Sequence, residues 1–356
     1  MNTNTNKSIL VIILVFLLSF FACERNKNLV PASFVEIENS IQTKEKINGV
    51  NLVATSSIID SSNISPLVKI YANSVAIVPF GFVRSGQSNV EYNLEWQWHG
   101  ERIIGTIEQI KLAKESNLSV LLKPHLWIHD GWVGDLSFET EMEWKEFEKT
   151  YTHFILDFAK IADSMEVEIL CIGVELKEVT KKRRLFWSTL IDTIRSQYSG
   201  KLTYASNWDN FNSIPFWTKL DFIGIEAYFP LSDSKTPSEK TLLSNWKPIK
   251  KEIHTVSSRE NKPILFTEYG YRNMDYTGKE PWNTSDNSSF NQKGQNNGYS
   301  AIFKTFWHEQ WFAGGYLWKW YPNHEKAGGK NNNRFTPQNK PAEKVISDFY
   351  KTYHKQ

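Results

Sequence analysis

Cysteine is scarce in this chain: of 356 residues only Cys23 and Cys171 carry a thiol. A disulfide framework is excluded as the source of stability, and a chain of this length can bury a core without one. Charge of one sign is lacking too, with 41 Lys and Arg against 39 Asp and Glu. That leaves no basic surplus for a nucleic-acid backbone, so no such partner is expected. No Gly-x-Ser-x-Gly elbow, phosphate-cradling glycine loop or His-Glu-x-x-His pair occurs. Esterase, kinase and zinc-peptidase chemistry lose their usual signatures. The apolar run Ile9–Ala22 has 14 residues, short of the roughly 20 that span a bilayer.

What is abundant is aromatic surface: 14 Trp, 14 Tyr and 22 Phe. Most of these rings belong in a core. Trp and Tyr also offer flat apolar faces with a polar edge, which suits the C–H faces and hydroxyl rims of sugar rings.

The first residues read as an export signal. Lys7 is followed by the apolar run and then by Phe20-Phe21-Ala22-Cys23, a basic, apolar, small-residue layout. The end of that run resembles a bacterial lipobox, which implies cleavage before Cys23 and acylation of its sulfur. Residues 1–22 are read as a lipoprotein signal peptide, 23–45 as a polar tether and 46–356 as one α/β domain. The expectation is an exported chain held at a membrane surface, periplasmic or cell-facing, through a lipid anchor at Cys23.

Beyond residue 46, apolar runs of strand length alternate with amphipathic stretches, the pattern of βαβ units. Eight runs qualify: Ile47–Val53, Ser74–Pro79, Ser119–Lys123, Glu168–Val174, Lys201–Ser206, Phe222–Ala227, Pro263–Thr267 and Gly314–Trp320. Eight strands, each followed by a helix-like segment, predict a (β/α)8 (TIM) barrel. Trp144, Phe147, Tyr151, Phe154, Phe158 and Ala162 recur at helical spacing and predict one apolar stripe. Ser65-Pro66 reads as a helix start. Cys171, inside Ile169-Leu170-Cys171-Ile172, reads as a buried strand residue. Residues 271–297 form a long loop carrying Tyr276 and Trp282, of the kind that overhangs a barrel mouth.

A barrel of this type keeps its chemistry at the C-terminal ends of its strands. Strand four runs through Ile169-Leu170-Cys171-Ile172 to Glu175, and strand seven through Ile264-Leu265-Phe266 to Glu268. An apolar strand has no structural reason to end on a carboxylate at the barrel mouth, because burying a charge is costly. Cleavage of a glycosidic bond supplies a reason. One carboxylic acid protonates the leaving oxygen while a second carboxylate attacks or stabilises the oxocarbenium-like centre.

The chain resembles the retaining glycosidases built on (β/α)8 barrels, and in detail glycoside hydrolase family 113, the β-mannanases. The likeness rests on Ile47-Asn48-Gly49-Val50-Asn51, Lys123-Pro124-His125, Gly173-Val174-Glu175-Leu176, Phe222-Ile223-Gly224-Ile225-Glu226-Ala227-Tyr228-Phe229-Pro230, Phe266-Thr267-Glu268-Tyr269-Gly270-Tyr271 and Gly315-Tyr316-Leu317-Trp318-Lys319-Trp320. It covers roughly residues 45–354. The resemblance implies Glu175 as acid/base, Glu268 as nucleophile, Tyr228 as a hydrogen-bond donor to the nucleophile and Trp318 as the floor under the sugar. Most of that clan has Asn just before the acid/base; here the position is Val174. The implied substrate is β-1,4-mannan or manno-oligosaccharide. Another β-glycan, such as a glucan or galactan, is the alternative within the enzyme class. Outside it stands a non-catalytic glycan-binding surface lipoprotein on the same barrel.

Other strand-end residues are open to more than one reading. Glu226 shares its facing with Tyr228 and should support the site or bind sugar. His125 is a candidate hydrogen-bond partner of the substrate or of the acid/base. His125 and His129 sit four apart on a strand end without a third ligand, which makes a poor zinc site, so no metal or cofactor is expected. Asn207, Trp208 and Trp127 are candidate sugar contacts, the two indoles serving as stacking platforms or as core. Trp320 has the same two readings. Arg84 is a candidate to orient Glu268 by a charge-assisted bond. No protein partner is inferred.

Overall fold

A computed structural model of the chain describes residues 45–284 and 289–354. The signal segment, Cys23 and the tether up to residue 44 lie outside the described residues. Eight parallel strands close into a barrel in the order one, eight, seven, six, five, four, three, two. They are Ile47–Leu52, Ser74–Ile77, Ser119–Leu122, Ile169–Val174, Lys201–Asn207, Ile223–Glu226, Ile264–Tyr269 and Phe312–Trp320. Each falls within two residues of an apolar run in the sequence. Helices connect them, and the fold is a (β/α)8 barrel.

The pleat decides what goes inside. Successive side chains on a strand face opposite ways. Ala76, Leu121, Cys171, Ala205, Leu265 and Tyr316 face the barrel interior and pack on one another. Their neighbours Val75, Ile77, Val120, Leu122, Leu170 and Ile172 face out and join the larger core beneath the helices. Interior space is tight at the first strand: a Cβ on Gly49 would sit 2.3 Å from the Tyr316 ring, so only glycine leaves room for that tyrosine. Cys171 is fully buried, and burial pushes its thiol up to about 11, which leaves it unreactive at neutral pH.

The helix Glu141–Ser164 shows how the outer layer is held. Thr140 and Glu143 form a capping box at its start, satisfying backbone donors that have no intrahelical partner. Its buried face includes Trp144, Phe147, Tyr151, Phe154, Phe158 and Ala162, the stripe that the spacing predicts. Burial of each large apolar side chain there is worth roughly 1.5–3 kcal/mol. The first helix departs from expectation. It runs Ser61–Lys69 and is capped by Asp60, which places Pro66 inside it. The amide donor that proline lacks is replaced locally: the Ser65 hydroxyl donates to the Ser62 carbonyl at 3.3 Å.

At the barrel mouth the chain adds a second, three-stranded sheet. Phe80–Val83 pairs antiparallel with Glu91–Tyr92 and parallel with His125–Ile128. The strands after Ile77 and Leu122 thus leave the barrel wall and continue above it as a separate ledge.

Candidate active site

The mouth holds a cleft of about 700 Å³ whose lining includes Glu175, Glu226 and Glu268 together with His125, Tyr228 and Trp318. The two strand-end carboxylates named from sequence therefore share one cavity. Trp208 and Trp282 form one wall, their rings stacked at 5.2 Å. Trp282 comes from the long loop that follows strand seven. Asn207 lines the same wall and donates to Asp209 at 3.0 Å.

Glu268 is buried and tightly held. Lys123 Nζ lies 2.6 Å from its Oε1, and the Tyr228 hydroxyl donates to its Oε2 at 2.7 Å. The Lys123 side chain is fully buried. Two residues beyond inward-facing Leu121, it points up the barrel axis beneath the site. Burial alone would lower its pKa; the charges of Glu268 and Glu226 outweigh that and raise it. Lys123 therefore stays an ammonium ion. Burial, reinforced by the Glu268 charge, raises the Tyr228 pKa well above its ordinary value, so the phenol is a donor across the working pH range.

Tyr228→Phe deletes one charge-assisted hydrogen bond without changing shape. Such bonds are worth about 1.5–3 kcal/mol, so kcat should fall about 10- to 100-fold with KM nearly unchanged, and the melting temperature should drop by a few degrees at most. An unaltered kcat would show that the phenol does not help the carboxylate react.

Glu175 is in a different environment. It is partly buried, with φ at +53°, a left-handed conformation that costs a non-glycine residue about 1–2 kcal/mol. Strain of this kind gathers at functional sites. The backbone is fixed there by the Glu175 amide donating to Ala205 at 2.8 Å and by the Lys177 amide donating back at 2.7 Å. Its Oε2 accepts from the Trp132 indole at 2.9 Å. Burial raises the Glu175 pKa above the ordinary carboxylic range; the Trp132 hydrogen bond opposes the shift without cancelling it, and the Glu268 charge adds to it. The two carboxyls sit in unlike settings, Glu175 with its pKa raised by burial and Glu268 clamped by an ammonium ion and a phenol, the asymmetry that acid and nucleophile require.

Glu226 sits between them. It pairs with Glu268 across strands six and seven, lies 3.4 Å from Lys123 Nζ, and its side chain is within hydrogen-bond reach of both Glu175 and Glu268. Burial first, and then the charges of Glu268 and Glu175, raise its pKa well above the usual value. It is a buried support for the site, one of the roles that the sequence leaves open to it.

His125 stacks parallel to Trp318, with ring centroids 6.1 Å apart. Its Nε2 is 3.8 Å from Glu268 Oε1 and has no hydrogen-bond partner among the described residues. Burial and the nearby Lys123 and Lys319 ammonium groups hold its pKa well below the ordinary value, so the ring is neutral, and its Nε2 is buried. His125, Glu226 and Glu268 bring three ligand-capable atoms within 4.8 Å, but the Lys123 ammonium already occupies their acidic side. His129 is remote from that set, exposed and paired with Asp130.

Two assignments are corrected. Arg84 does not orient Glu268. Its Nε lies 2.6 Å from Glu91 on the ledge, because the chain has left the barrel wall before reaching it; Lys123 holds the carboxylate instead. Trp320 does not face the substrate. The register between strands one and eight slips, with Leu317 opposite Val50 but Trp320 opposite Leu52. Three residues against two reverse the facing, and Trp320 is fully buried in the outer core. Trp127 lies outside the catalytic cleft, exposed on the ledge.

Comparison with known proteins agrees with the barrel fold. A family model described as Glycoside Hydrolase Family 113 matches residues 60–340. A complex structure of a family 113 β-1,4-mannanase aligns with a TM-score of 0.74 at 22% identity, covering 87% of this chain and 100% of that one. The β-mannanase AaManA of Alicyclobacillus acidocaldarius aligns with a TM-score of 0.75 at 23% identity, covering 87% and 98%. A β-glucuronidase from Ruminococcus gnavus aligns at 0.55 and 14% identity, covering 86% of this chain and 50% of that one. No curated protein matches.

Proposed function

This chain belongs to glycoside hydrolase family 113, and from that premise we propose that it hydrolyses β-1,4-mannan or manno-oligosaccharides by a retaining double displacement. The observation that carries the reading is the unequal setting of two carboxyls in one cleft: Glu268 bound by Lys123 and Tyr228, Glu175 raised by burial beside Trp132. Glu268 attacks the anomeric carbon and forms a glycosyl ester. Glu175 gives its proton to the departing oxygen. Glu175, now a carboxylate, takes a proton from water, and that water's oxygen cleaves the ester with net retention at the anomeric centre. Trp318 offers a flat floor and His125 a neutral ring to the sugar held between the carboxyls.

Mannan enters from the family. Two mannanases of the same barrel support it, and the aromatic walls at Trp208, Trp282 and Trp318 suit a pyranose chain. Release of reducing sugar from mannan, cellulose, xylan and galactan tests the choice, and proton NMR of the first product anomer tests the stereochemistry. The β-anomer should appear first. An initial α-anomer would replace the double displacement by single-step inversion.

The proton on Glu175 gives a further expectation. The acid form is needed for departure of an unactivated alcohol, so kcat/KM falls as pH rises through the Glu175 pKa. Because burial raises that value, the alkaline limb should lie above the ordinary carboxylic range. Glu175→Gln should slow oligosaccharide cleavage by about 10²–10⁴-fold. An activated aryl glycoside, whose leaving group needs no proton, should still form the glycosyl-enzyme. Equal losses on both substrates would contradict the acid role.

A further inference from the structure

The ledge above the barrel carries a second groove, of about 370 Å³, lined by Phe82, Val83, Arg84, Trp96, Trp127 and His129. Its two indoles are 56% and 47% exposed at Trp96 and Trp127. Large aromatic faces left open side by side mark a binding surface more often than a packing accident.

Continuity with the catalytic cleft identifies the occupant. Phe80 and His125 line the cleft and stand opposite each other in register; two residues on, Phe82 and Trp127 stand opposite each other in the groove. Side chains two apart on a strand share a face, so the same face of the same two strands runs from one site to the other. Ring contacts follow it without a break: Trp318 to His125 at 6.1 Å, His125 to Phe80 at 5.4 Å, Phe80 to Phe82 at 6.5 Å and Phe82 to Trp127 at 5.8 Å. Two strand residues advance about 7 Å, on the order of one sugar unit of a β-linked chain.

We propose that this groove is a distal subsite that stacks a pyranose ring of the same glycan chain whose cleavage the catalytic cleft performs. The inference rests on the glycosidase reading and adds an extended, chain-following binding surface to it. Trp96 is steadied by an edge contact with Phe82 at 4.9 Å and by the Arg84 guanidinium 5.9 Å from its ring centre. Arg84 is in turn fixed by Glu91. The guanidinium and His129 supply polar groups at the rim for sugar hydroxyls, the usual complement of an aromatic platform.

Binding of mannohexaose and mannobiose to the inactive Glu268→Gln chain, with and without Trp96→Ala and Trp127→Ala together, tests this by calorimetry. The expected result is at least a tenfold loss of hexaose affinity with biose affinity within about twofold. Unchanged hexaose affinity, or equal loss for both sugars, would overturn the subsite. The active chain gives a parallel readout: kcat/KM on mannan should drop while that on an aryl mannoside holds. A wild-type chain that cleaves no β-glycan would refute the glycosidase reading instead, and the calorimetric difference would still decide the groove.

Discussion

Glu268→Gln should stop turnover, by on the order of 10⁴-fold or more, while the chain stays folded and still binds its glycan. The amide has the shape of the carboxylate: its one oxygen can still accept from Lys123, which lies 2.6 Å from Oε1, and its NH2 can donate to the Tyr228 hydroxyl oxygen, which lies 2.7 Å from Oε2. What it lacks is a lone pair with the charge to displace an alcohol and form an ester. Lys123 retains Glu226 at 3.4 Å, and loss of the Glu268 charge removes one of the causes that raise the Glu226 pKa, so Glu226 can ionise in its place and the buried ammonium ion is not stranded. The loss should therefore appear in kcat, with glycan affinity changed by no more than a few-fold. A second measurement locates the bond. A 2-deoxy-2-fluoroglycosyl fluoride, slowed at the second step, should add one glycosyl mass to the peptide containing Glu268 in the wild type and none in the variant. Near-full activity of Glu268→Gln, or a label on another residue, would remove Glu268 as nucleophile.

The parts of this fold that obey a simple period were open to reading in the sequence. Eight apolar runs marked eight strands because a parallel barrel buries both faces of each strand, and the glutamates stood out because charges interrupt such runs. A charge also ends Val120-Leu121-Leu122-Lys123, but spacing alone assigns that lysine no role. Its meaning depends on which partners lie across the barrel, and these are residues 226 and 268, more than a hundred positions away. Misreadings arose where the period breaks. A bulge between strands one and eight turned Trp320 outward, and departure of the chain from the wall after Ile77 carried Arg84 to the ledge. Trp132 gave no signal, since its role depends on the path of a loop through Gly131 and not on spacing. Trp282 lay in a loop already marked by its length.

Lys123→Met should be the most damaging change that leaves both glutamates in place. The lysine lies between Glu226 and Glu268 at the bottom of the cleft, 3.4 and 2.6 Å from their oxygens. Removing one partner of a buried pair leaves the other uncompensated, at a cost of about 3–5 kcal/mol. The cost should be pH-dependent. The pKa values of Glu226 and Glu175 are already raised, and Lys123 holds them down; without the ammonium ion these two carboxyls bind protons still more tightly in the folded state than in the unfolded one. Groups with raised folded pKa values stabilise below the unfolded value and lose that contribution as pH rises. The gap in unfolding free energy between wild type and Lys123→Met should therefore be large at pH 7 and narrow towards pH 5. In the wild type the Lys123 pKa is itself raised, so its favourable contribution lasts through neutral pH and fades only above the ordinary lysine range. Adding Glu226→Gln to Lys123→Met removes one stranded carboxyl and should return part of the stability. It should not restore turnover, because Glu268 still lacks the ammonium ion that holds its carboxylate in place for attack. Denaturant unfolding at the two pH values, alongside kcat, separates these effects. A deficit independent of pH would mean that Lys123 acts by filling space, and its place beneath the two carboxylates would then have no electrostatic role.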